Sequence, residues 1–203
     1  MNRSKTSTRS WALLLPLIAL LYLSSSCGSY LKIESGDSPE ERVESARDRA
    51  DNMRAQWANQ IKRADPTRVA HLVKGHIDSV SAMFVRYGRD VSDQWREAIH
   101  GRGEEVADEE MRLMVDRWTT DQRPILDAYD DNLEFGIAEL RLRRFHDEPV
   151  FDILDQMVEV YDQTFSDVFY PAGTVEQYED KFSRHSQDME QLSARLTDLL
   201  AAY

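Results

Sequence analysis

Apolar positions recur at three- and four-residue spacing along nearly all of residues 39–203, the pattern of helices that each bury one face. "SPEE" opens the first segment, with Ser38 as N-cap, Pro39 at the first helical position and Glu41 reaching back. Its stripe is Val43, Ala46, Ala50, Met53, Trp57 and Ala64, narrow and alanine-rich, which predicts close approach to a neighbour. "DPTR" opens the second, with Asp65 as cap, and Val69, Val73, Ile77, Val80, Phe84 and Tyr87 line it up to an expected stop at Gly88. A third segment is expected from Ser92, with Val91, Trp95 and Ile99 on one side. It should break or kink at "HGRGEE", because two glycines in three residues are poor helix interior. It resumes through Val106, Met111, Met114 and Trp118.

A fourth segment is expected from "TDQRP", carrying Ile125, Tyr129, Leu133, Ile137 and Leu140. It ends in Arg141, Arg143 and Arg144, which suit the negative end of a helix dipole. After a restart at Asp147, the fifth is the most apolar, from Val150 to Phe169, and its wide stripe predicts a central helix with several neighbours. "TVEQ" caps the sixth. Val175, Tyr178, Phe182, His185, Met189, Leu192, Leu196, Leu199 and Tyr203 then keep a heptad seam. Strand-type alternation with hairpin turns is absent from the sequence. Short connections place successive helices antiparallel. The expected fold is all-α: an elongated up-and-down antiparallel bundle of five to six helices forming one domain over 39–203. Its segments of about 23–28 residues would be roughly 35–42 Å long.

The N-terminus is built differently. Residues 1–10 carry Arg3, Lys5 and Arg9 and no acid. Thirteen apolar residues follow, Trp11–Leu23, then Ser24, Ser25, Ser26 and Cys27, the single cysteine of the chain. A basic start, a short apolar run and a small-residue exit are the parts of a secretory signal. Thirteen helical residues span only about 20 Å, short of a bilayer core of about 30 Å. With its cysteine at the exit, the segment resembles a bacterial lipoprotein signal, although Leu23 lies one place earlier than the usual pattern has it. The resemblance covers residues 1–27. It implies removal of residues 1–26, a thioether-linked lipid on Cys27, and a tether over 27–38. Gly28, where an Asp would imply inner-membrane retention, implies the outer membrane in a Gram-negative cell.

Charge narrows the partners. The chain has 25 Lys+Arg and 37 Asp+Glu; loss of the signal leaves 22 basic residues, a net charge of −15. That excludes a basic nucleic-acid face and a polybasic grip on anionic lipid. One cysteine excludes internal disulfides and cysteine-rich zinc sites.

Glu97 and His100 in "EAIH" share a helix face. Two-metal bundles use Glu-x-x-His on two helices, and this sequence offers one, so no metal or other cofactor is expected. His185 reads as a polar seam residue fixing register, or as a pH switch. Glu104, Glu105, Asp108, Glu109 and Glu110 form an acidic helix start without the spacing of a calcium loop. Nucleotide loops, zinc-protease motifs and nucleophile elbows are absent from the sequence. The expected function is that of a non-catalytic lipoprotein, membrane-held through Cys27, that contacts an envelope protein partner, and its acidic surface suits a basic one. The rival is a ligand- or metal-binding bundle, distinguished by an inward-facing cluster of Asp, Glu or His.

Overall fold

The computed structural model describes residues 38–143, 145 and 148–202; the side chains of residues 104 and 105 are not described. The signal segment, Cys27, the tether up to residue 37, Arg144, Asp147 and Tyr203 lie outside the described residues. Five helices pack together: α1 (Pro39–Arg63), α2 (Pro66–Arg102), α3 (Glu104–Leu142), α4 (Glu148–Phe169) and α5 (Val175–Leu200).

Local chemistry sets most of the boundaries. Ser38 and Glu41 form a capping box, as do Thr174 and Gln177, and Asp65 caps α2 by accepting from the Arg68 N–H. The expected break in "HGRGEE" falls at Gly103, whose φ of 91° is the left-handed region open to glycine.

Two expected boundaries are corrected. Gly88 does not stop α2, which runs through it for 37 residues. The glycine is there for packing, since the Phe182 ring occupies the space a Cβ would need. Nor does a new helix start at "TDQRP": α3 continues through Pro124 for 39 residues. An interior proline costs about 3 kcal/mol, but both flanks are fixed by packing. Asp121 is buried against Arg42 of α1, and Leu126 and Ala128 are buried beyond. These two helices are therefore much longer than expected, about 55 and 58 Å at 1.5 Å per residue.

Named pairs fix the topology. Lys74 reaches Ser193 and Trp95 meets Tyr178, so α2 and α5 are antiparallel. Tyr87 stacks on Trp118 while His76 bonds the Tyr129 carbonyl, so α2 and α3 are antiparallel. Arg42 pairs with Asp121 and Arg54 with Asp131, so α1 lies parallel to α3. Successive helices thus alternate up and down. The central position belongs to α2, which packs on α3, α4 and α5; α4, expected there, packs on α2 and α5 and more lightly on α3. The core joins Phe84, Tyr161, Phe165 and Phe169 to a stack of Tyr87, Trp118 and Phe169. Among the described residues no helix is long and apolar enough to cross a membrane.

Candidate functional site

Glu97 and His100 sit near the C-terminal end of α2, both exposed. They share a face as expected, but the fold brings no other ligand to them: no group of three or more His, Cys, Asp or Glu side chains that could hold a metal ion occurs among the described residues.

His185 is mostly buried between α4 and α5. Its Nε2 lies 2.8 Å from Asp167 Oδ2, and Lys181 Nζ lies 2.6 Å from the other carboxylate oxygen. Burial alone would raise the Asp167 carboxyl, but the hydrogen bonds from His185 and Lys181 outweigh it and hold the group below its usual value. The cluster joins two helices in register, as the seam reading of His185 expects.

His76 is the other engaged imidazole. It lies between the rings of Trp57 and Tyr129, and its Nε2 donates to the Tyr129 carbonyl at 2.9 Å. Burial lowers its pKa, against the smaller opposing effect of that hydrogen bond. Tyr161 donates to Asp130 at 2.7 Å, joining α4 to α3. Burial, with Asp162 and Asp127 nearby, raises the Asp130 carboxyl despite that bond.

Of the three arginines expected to complement their own helix end, Arg143 does more. Its guanidinium donates to the Ile61 carbonyl at 2.9 Å and to the Ala64 carbonyl, satisfying the orphan acceptors that end α1. Arg141 lies over the Phe151 ring. Ile61, fully buried, was absent from the expected α1 stripe. Its spacing of four from Trp57 is the signal that would have found it. An open groove of about 510 Å³ between α4 and α5 is lined by Asp152, Ile153, Arg195 and Leu199 among others, a mixed wall without a convergent set of polar groups.

The most distinctive surface is the hairpin of α2 and α3 around Gly103. Trp95 donates its indole N–H to Asp108 at 2.9 Å, and Arg102 pairs with Glu110, so the turn is braced from within. On its outer side Val106 is 47% exposed and Leu113 58%, two of the four large apolar side chains that the described residues leave in solvent. From Arg89 to Trp118 there are five arginines and nine acids, a net charge of −4. Of the described residues in the expected acidic helix start, Asp108 and Glu110 are engaged with Trp95 and Arg102, and Glu109 is exposed beside Arg112, Asp116 and Arg117.

Comparison with protein-family models, with curated proteins and with solved structures finds no match.

Proposed function

We propose that the protein is a lipid-anchored envelope protein whose helical domain works through protein contacts, without catalysis. The observation that carries the reading is the position of Cys27. It stands three serines after an apolar run too short to span a bilayer and eleven residues before the Ser38 cap that opens α1. Each buried methylene contributes about 0.8 kcal/mol, so several acyl chains on one cysteine would hold the domain stably at a membrane. Gly28 favours the outer membrane in a Gram-negative cell. The acidic balance of the chain, −15 once the signal is removed, supports a basic protein partner. The test is Cys27→Ala in the native host. The variant should leave the membrane fraction and lack the mass of the lipid; retention in that fraction at an unchanged mass overturns the anchor.

A further inference from the structure

Helix α1 buries little of itself. Four of its 25 side chains are buried, Ala46, Ala50, Trp57 and Ile61, and two of those are alanine. In α4 eight of 22 are buried, Leu154, Met157, Tyr161 and Phe169 among them. Among the described residues α1 packs along α3, and it reaches α2 where the Trp57 ring meets His76. The aromatic core of Phe84, Tyr87, Trp118, Tyr161 and Phe169 lies in α2, α3 and α4, and α5 adds Tyr178 and Phe182. That core is complete without α1. A segment with few buried apolar contacts opens at lower free energy than the domain as a whole. Its polar ties are few and local. Arg42 meets Asp121 at 2.8 Å and Arg54 meets Asp131 at 2.7 Å, the second pair exposed enough to contribute little. Arg143 holds the Ile61 and Ala64 carbonyls beside the turn into α2, which makes that end the pivot. The latch is Trp57. Its ring lies against Gly136 of α3, with its centroid 4.9 Å from that of His76, yet its indole N–H is buried without a hydrogen-bond partner among the described residues. Opening would give that donor to water.

We propose that α1 is a strap that swings off α3 as one unit about the turn at Ala64 and Asp65, and that charging of the His76 imidazole favours its release. In the closed state His76 lies under Trp57, and its Nε2 donates to the Tyr129 carbonyl. The charged groups on the elements around it are engaged elsewhere. Arg54 of α1 and Asp131 of α3 pair with each other, Asp130 of α3 accepts from Tyr161 of α4, and Lys74 and Asp78 of α2 meet Ser193 of α5. Burial lowers the pKa of His76, and the Tyr129 carbonyl opposes it less strongly. With Trp57 gone the ring meets water, so the open state takes up the proton first and gains as pH falls below about 6.5. Opening puts the face of α3 that carries Asp121, Asp131 and Asn132 into water. It also sets a helix about 37 Å long between Cys27 and the remaining four helices. That second consequence rests on the anchor proposed above; the opening does not.

The experiment is hydrogen exchange, read by mass spectrometry, on the full-length protein isolated in detergent from its native membranes. Amides of α1 should exchange together, with an opening constant at least about ten-fold larger than those of α2 and α4. Between pH 7 and 5.5, after division by the intrinsic exchange rates, that constant should rise about three- to eight-fold, the upper figure being the limit for one imidazole of ordinary pKa. In His76→Gln the rise should disappear. Circular dichroism checks that the variant keeps its helicity; if it does not, the pH response of the unaltered chain decides. Exchange of α1 at the rate of α2 and α4 overturns the strap, as does protection that falls off gradually from Arg63 to Pro39, the mark of a fraying end. An opening constant that is flat with pH, or a rise that persists in the folded Gln variant, overturns the role of His76. If Cys27→Ala still releases the protein from the membrane, any of these results removes the strap while the anchor stands.

Discussion

The ring of Phe182 on α5 lies directly against Gly88 on α2: a Cβ at residue 88 would stand 2.6 Å from the ring's Cε2 and Cζ atoms. Gly88→Ala should therefore destabilise the domain although alanine is the better helix former. Overpacking costs about 1–3 kcal/mol, and the propensity gain returns about 1 kcal/mol. Adding Phe182→Leu to Gly88→Ala should cost less than the two single changes together, because the smaller side chain vacates the space. Urea midpoints of the four proteins check this; additive losses would contradict the contact.

Asp130 and Tyr161 give a pair of opposite expectations. Burial first, and then Asp162 and Asp127, raise the Asp130 carboxyl, while the Tyr161 hydroxyl works against them. A raised carboxyl loses stability as pH rises through its folded-state pKa. Asp130→Asn keeps an acceptor and removes the charge, so it should raise the melting temperature at pH 7 and have little effect at pH 4. Asp130→Ala leaves the buried Tyr161 hydroxyl without its partner and should cost about 1–3 kcal/mol.

His76 predicts a pH response of the other sense. Its folded-state pKa is lowered, by burial, from the ordinary imidazole value of about 6.5. The unfolded chain therefore takes up protons first, and stability is fully present above about pH 6.5 and lost as pH falls below it. Asp167, also lowered, adds a loss only as pH drops below the ordinary carboxylate value of about 3.9. His76→Gln keeps a donor for the Tyr129 carbonyl and does not titrate. Its melting temperature should vary less between pH 7 and 5 than that of the unaltered protein.

What was legible in the sequence is what is decided within a few residues. The two capping boxes, the Asp65 cap and the Gly103 break each depend on neighbours at most four positions away, and each forms as expected. Gly88 and Pro124 carried local signals for ending a helix, but partners far along the chain overrode them: Phe182 for one, and the α1 contact at Asp121 for the other. The place of Arg143 at its own helix end was legible, but its acceptors Ile61 and Ala64 were not, since they lie about eighty residues away. The α5 seam was legible through Leu196. At its end Leu200 is more buried than Leu199, because an unsupercoiled helix drifts off a strict heptad. At the candidate surface, the acidic run was visible, but the exposure of Leu113 depends on how the helices pack.

The last helix is a packing element of a single chain. Leu196 is fully buried and Leu192 nearly so. Truncating a core leucine costs about 2–5 kcal/mol. Leu192→Ala and Leu196→Ala should each lower the melting temperature by an amount independent of protein concentration. A dimer that these changes split into folded monomers would make α5 an interface instead.

The anchor at Cys27 is tested most directly by the mass of the N-terminal peptide of the protein isolated from its native membranes. The account predicts a mature chain that begins at Cys27, with a lipid attached through its sulfur. An N-terminus at another residue, or a Cys27 peptide carrying an unmodified thiol, would contradict it.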